Sequence, residues 1–191
     1  MNLRLFVAID LPESVTDALE RLCTGVPGAR WTDPQQYHLT LRFVGEVDGL
    51  VARDLDAGLA EISFEPFTLH LDGFGHFPPR GAPKVLWSGI SPREPVDALR
   101  RAVDRAVLAA GVEPERRKFS PHVTVARFPG GAPLNRIQQF LAGHALYRSE
   151  PFRVDRFHLY SSQLHADGAI HTLEATYGVG DEDQGDDLWG I

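Results

Sequence analysis

The hydrophobic pattern changes period repeatedly along the chain. Residues 3–9 read as a strand, with a short apolar run from Leu5 to Ile9 closed by Asp10, the mark of burial. Pro12 then opens a helix with Val15, Leu19 and Leu22 on one stripe, since proline is harmless in a first turn where its missing N–H has no partner to lose. Residues 38–45 read as a strand, and Val51, Leu55, Leu59 and Ile62 as a second helical stripe. Phe67, Leu69 and Leu71 alternate with Thr68, His70 and Asp72, which predicts a half-buried strand. Residues 73–83, rich in Gly and Pro, predict a loop, and 85–90 another strand. Val96, Leu99, Val103 and Val107 make a third helical stripe, ended by Gly111. A strand at 122–128, a short helix at 134–141 and two closing strands, 152–159 and 169–179, joined near Gly168, complete the pattern. Helices and strands mix without strict βαβ regularity, so the expected class is α+β with antiparallel sheets.

Composition narrows the picture. A chain of 191 residues, 43% hydrophobic and 24% charged, is expected to fold as one domain. Cys23 is the sole cysteine, which excludes a disulfide framework and a Cys-based zinc cluster. No apolar run approaches the roughly 18 residues of a membrane span, and the N-terminal run lacks the marks of a signal peptide. A cytoplasmic protein without a membrane partner is expected. Of the net charge of −7, five acids (Asp181, Glu182, Asp183, Asp186 and Asp187) stand in a tail without Lys or Arg. Residues 1–178 are therefore expected to form the single catalytic domain, and 179–191 an acidic, disordered tail. The remainder is nearly neutral, which excludes the strongly basic surface of a protein that coats nucleic acid.

One short repeat carries the chemistry. His38-Leu-Thr-Leu41 matches His122-Val-Thr-Val125, each on a predicted strand. Alternation puts His38 and Thr40 on one face and Leu39 and Leu41 on the other; His122 and Thr124 are likewise set apart from Val123 and Val125. The apolar faces are core. The polar faces, if they meet across a groove, suit phosphodiester cleavage. One imidazole takes a proton from the nucleophile while the other gives one to the leaving oxygen. Two hydroxyls and a cation hold the phosphoryl oxygens, and no metal is required. A single H-x-T strand is background; two with the same apolar alternation are a signal.

The segments His38-Leu-Thr-Leu-Arg-Phe-Val-Gly45 and Ser120-Pro-His-Val-Thr-Val-Ala-Arg127 resemble the paired motifs of the 2H phosphoesterase superfamily, in particular its RNA 2′,3′-cyclic phosphodiesterase (2′-5′ RNA ligase-like) family. The resemblance extends from Arg4-Leu-Phe-Val-Ala-Ile-Asp-Leu-Pro12 through Gly73-Phe-Gly-His-Phe77 and Val85-Leu-Trp-Ser-Gly89 to Phe157-His-Leu-Tyr-Ser-Ser162. It implies two pseudo-symmetric lobes of antiparallel sheet with outer helices around a central groove. It also implies opening of 2′,3′-cyclic phosphate ends of RNA or nucleotides to 2′-phosphomonoesters. A monomer that needs neither metal nor cofactor is expected. Joining RNA ends through a 2′-5′ bond would be the same chemistry reversed. Relatives' roles map a proton donor onto His38, a proton acceptor onto His122, and phosphate binding onto Thr40, Thr124 and Arg127. The near-equivalence of the motifs leaves the choice of acid and base open.

Arg127 is five residues after His122, so strict alternation points it to the core face. A bulge after Val125, or a path round the strand end, would bring it to the groove. Phe43 holds the equivalent place in the first motif and is expected in the core. Arg42, four after His38, falls on the groove face by alternation and is a second candidate cation. Phe77, beside the Gly/Pro-rich segment, is a candidate for stacking on a base, whereas Trp87 is expected in the core. Many relatives carry a Tyr soon after the last hairpin's glycine, where this chain has Ile170-His171. Arg116, Arg117 and Lys118 either draw an RNA backbone toward the groove or form a solvated turn. His70, His76, His144, His158 and His165 lack metal-ligand spacing. Two rivals stay open: a module that binds nucleotide phosphates without turnover, and a relative acting on another cyclic phosphate such as that of ADP-ribose.

Overall fold

The computed structural model of the protein describes residues 2–165 and 168–178, so the acidic segment 179–191 lies outside the described residues. The strands are β1 (Leu3–Asp10), β2 (Arg30–Trp31), β3 (His38–Val47), β4 (Phe67–Phe77), β5 (Val85–Ser91), β6 (Val123–Arg127), β7 (Phe152–Val154), β8 (Arg156–His165) and β9 (Gly168–Gly178). The helices are α1 (Glu13–Glu20), α2 (Gly49–Ala60), α3 (Glu94–Ala109) and α4 (Leu134–Gly143). Among the described residues the strands form one antiparallel sheet in the order β7-β4-β5-β6-β3-β1-β8-β9, with β2 attached to β6. The order is symmetric about the β6–β3 seam, where the two strands share one register pair, Leu39 with Val123. An approximate two-fold axis through that pair relates the two H-x-T-x strands, one in each half.

The helices form where the apolar stripes run. α3 buries the predicted Val96, Leu99, Val103 and Val107 against α2 and β3. α2 starts at Asp48, whose carboxylate accepts the N–H groups of Leu50 and Val51 at 3.0 Å; such a cap stabilises by about 1 kcal/mol. Its far flank is tied to β9 by the Tyr177 hydroxyl, which donates to Asp56. α4 buries Ile137 and Phe140 beside β4. α1 ends at Glu20, so Leu22 and Cys23 stand in the turn beyond the helix and not on it. No helix among the described residues is long and apolar enough to cross a membrane.

Two expectations are corrected. The Gly-rich stretch after Asp72 is strand, since β4 runs on to Phe77. Its glycines serve the sheet: Gly73, at φ +64, sits in a register shift against β5, and a Cβ on Gly75 would overlap the indole of Trp87 on the neighbouring strand. The expected strand 152–159 breaks at Asp155. Its first part, β7, pairs with β4 at one end of the sheet, and its second, β8, pairs with β1 and β9 in the other half.

Candidate active site

The two motif strands do not keep strict alternation. Against β1, Ala8 pairs with Thr40 and Val7 with Arg42, so Leu41 is one residue extra. Against β5, Trp87 pairs with Thr124 and Leu86 with Ala126, so Val125 is extra in the same way. Each extra residue shifts the next stretch of strand to the other face. The consequences are parallel: Leu41 and Arg42 are both buried, as are Val125 and Ala126, and the next residues, Phe43 and Arg127, come out exposed on the faces of His38 and His122. Arg42, expected in the groove, instead lies on the opposite face, its side chain 4% exposed, with Nε 3.4 Å from Asp104 of α3. Phe43, expected in the core, is 53% exposed and stands 5.9 Å from the ring of Phe6.

Continuing the β3–β6 register one step each way sets His38 opposite Thr124 and Thr40 opposite His122. The histidines are then diagonal neighbours, about 7–8 Å apart in ideal antiparallel geometry. That span fits one phosphate between them. Each imidazole is oriented identically: Nδ1–H of His38 donates to the Gln36 carbonyl at 2.7 Å, and Nδ1–H of His122 to the Ser120 carbonyl at 2.6 Å. The bond selects the Nδ1–H tautomer and leaves Nε2 of each ring as the atom available to a substrate. The Gln36 carbonyl belongs to a 3₁₀ turn, Pro34–Gln36, capped by Asp33 and tied to β9 by the Gln36 amide donating to the Ala169 carbonyl at 2.9 Å.

Burial pushes the His38 imidazole down to about 4; the Gln36 bond and the Asp10 carboxylate oppose the shift, and the charges of His171 and Arg127 add to it. Burial, then Arg127, also holds His122 below the ordinary imidazole value, against the pull of the Ser120 bond. Arg127 thus acts electrostatically on both rings.

Rings flank each histidine. Phe6 lies 5.0 Å from His38, and His171 meets both Phe6 and His38 edge-on, at 4.8 and 5.4 Å. Tyr160 stacks on Phe6 at 5.3 Å while its hydroxyl donates to both oxygens of Asp10, the cross-strand partner of His38. Around His122, Phe77 stands edge-on at 5.0 Å and Trp87 at 6.1 Å, so Trp87 belongs to this wall and not to the core. Among the described residues no group of three or more His, Cys, Asp or Glu side chains is arranged to hold a metal ion.

A model of the 2′-5′ RNA ligase superfamily matches residues 11–166. The chain belongs to this superfamily. Its relatives include the RNA 2′,3′-cyclic phosphodiesterase of Aeropyrum pernix, 34% identical over 149 residues, or 78% of this chain and 84% of the relative. The Bacillus subtilis protein of the same name is 30% identical over 169 residues, 82% of this chain and 89% of its own. A solved Thermus thermophilus protein superposes with a TM-score of 0.77 at 28% identity, covering 93% of this chain and 98% of that one. E. coli LigT, complexed with 3′-AMP, shares the fold with a TM-score of 0.76 at 24% identity, over 93% and 98% of the chains. The two-lobed α+β architecture of the superfamily is the one described above.

Within this 2′-5′ RNA ligase fold, His38, Thr40, His122, Thr124 and Arg127 come together on one face, with Phe77 at its edge and Arg42 excluded. The sequence reading did not anticipate Phe6, Phe43, Tyr160 or Asp10 near the pair. Phe6 sits in an unbroken apolar run and reads as core from either face. The parallel spacing of Phe43 and Arg127 after their histidines was the available signal for a shared bulge.

Proposed function

We propose that the protein hydrolyses 2′,3′-cyclic phosphate ends of RNA or nucleotides to 2′-phosphomonoesters, with residues 1–178 as the catalytic unit. The observation that carries this reading is the pair of identically anchored imidazoles presenting Nε2 to one face beside two threonine hydroxyls and a guanidinium. His122 Nε2 takes a proton from water as the water oxygen bonds to phosphorus. The P–O3′ bond breaks, and His38 Nε2 delivers its proton to the leaving O3′. Thr40, Thr124 and Arg127 hold the non-bridging oxygens as charge builds on them. The Asp10 carboxylate opposes the burial that lowers the His38 imidazole, whereas Arg127 lowers both rings. Solvent exchange resets the pair. A 5′-hydroxyl in place of water would form a 2′-5′ bond by the same steps.

The test is turnover of a 2′,3′-cyclic mononucleotide, with EDTA present and the product identified by ³¹P NMR. Wild type is expected to yield the 2′-phosphate. His38→Asn and His122→Asn should each lose about 10² to 10⁴ in rate, and the double variant little more than the worse single, because the two act as a unit. Binding without turnover would replace the reading with a phosphate-binding module. Turnover confined to the cyclic phosphate of ADP-ribose in a substrate panel would redirect it to that substrate.

A further inference from the structure

His122 owes its orientation to the Ser120 carbonyl, yet Ser120 stands in residues 110–122, which join α3 to β6 without helix or strand. Three arginines hold this segment from outside. Arg93 Nη2 donates to the Phe119 carbonyl at 2.9 Å, and the Arg100 guanidinium lies 4.8 Å over the Phe119 ring. The third is Arg42. Its Nη2 donates to the Glu113 carbonyl at 2.6 Å, and its Nη1 is 3.9 Å from the Glu115 carboxylate. Arg42 alone of the three is almost fully buried, and it alone comes from the strand that carries His38. The extra residue Leu41 is what turns it to that side. Asp104 locks the network by meeting Arg42 at 3.4 Å and Arg100 at 2.7 Å.

The bracing is reciprocal. Val125, the extra residue of the second motif, accepts the N–H of Thr32 at 2.9 Å through its carbonyl. Thr32 leads into the turn whose Gln36 carbonyl orients His38. The bulge in each motif strand therefore holds the approach segment of the other motif's histidine.

We propose that Arg42 is a positioning residue for His122, acting through residues 113–121 to hold the Ser120 carbonyl in line with Nδ1. The inference rests on the paired-histidine reading for its effect on rate, but its structural claim stands on His122 alone. A guanidinium suits the task because its planar fork reaches two acceptors at once, which an ammonium on a flexible stem does not.

The experiment compares wild type, Arg42→Lys and Arg42→Met by ¹⁵N–¹H correlation of the histidine side chains, with kcat and KM on a 2′,3′-cyclic mononucleotide. In wild type His122 is expected as the Nδ1–H tautomer. Both variants should turn it into a tautomer mixture while His38 keeps its pattern, and kcat should fall about ten- to a hundred-fold with KM within about two-fold. Arg42→Lys keeps the charge beside Asp104 and carries the test if Arg42→Met does not fold. Tyr177→Phe, which loses the Asp56 bond on the far flank, should lower stability without moving His122. An unchanged His122 pattern in the folded Arg42 variants would overturn the proposal and leave Arg42 as a stabilising brace. If wild type turns over no cyclic phosphate, the proposed function fails while the tautomer measurement still decides the role of Arg42.

Discussion

His38, the proton donor of the proposed mechanism, is kept poor in protons. With its pKa near 4 and that of His122 also depressed, both rings are neutral in the free protein at pH 7. The proposed mechanism needs one proton on the pair, and kcat/KM reports the free enzyme. Its bell should therefore peak below about 6.5, the ordinary imidazole value, with limbs that belong to the coupled pair. A bound phosphodiester anion favours the protonated form, so both limbs should stand at higher pH in kcat. Measuring both profiles between pH 4 and 9 checks this, and a kcat/KM still rising above neutrality would contradict it. Stability carries the same signature. The unfolded chain binds a proton at His38 near pH 6.5 and the folded one only near 4. Acidification through that window must therefore destabilise the fold, and above it this contribution is flat. Urea midpoints of His38→Gln should depend less on pH there than those of wild type. The sequence made both histidines and both threonines legible because they precede the bulges. Arg42 and Phe43 were misplaced because they follow one, and a bulge leaves no compositional mark.

Strand β4 shows how far pattern reading reaches among the secondary elements. The third helical stripe and most strand positions could be read from periodicity, because burial of one face imposes it. The run from Gly73 to Phe77 could not, because its glycines answer to a neighbouring strand. Gly75→Ala tests this. The added methyl meets the Trp87 indole, which is hemmed in by Phe77 and His122. Overpacking of this kind costs about 1–3 kcal/mol. The thermal midpoint should fall, and kcat should fall with it because the displaced ring presses on His122. A variant as stable and active as wild type would show that the ring has room elsewhere. The break at Asp155 was equally hidden, since β7 and β8 are both apolar alternations and only their partners differ.

For the molecule as a whole, charge and symmetry decide how substrate arrives. The net charge is −7, and Arg127 is the cation whose charge reaches both histidines. Each phosphate neutralised on a single strand contributes about −0.7 to the slope of log affinity against log salt. The slope of log kcat/KM for a short RNA ending in a cyclic phosphate should therefore be no steeper than about −1, and close to that of a mononucleotide. A slope of about −3 or steeper, the mark of several neutralised phosphates, would reveal a backbone track beyond Arg127. The approximate two-fold axis has a further effect. A palindromic cleft would accept a phosphodiester in either direction, and half of all encounters would place the leaving oxygen beside the wrong ring. The bulges present Arg127 at one end and Phe43 at the equivalent place on the other, an anion's partner facing a flat apolar ring. In the proposed reaction one such mismatch is enough to give a duplicated scaffold a reading direction, with the sugar set toward one histidine and water left to the other.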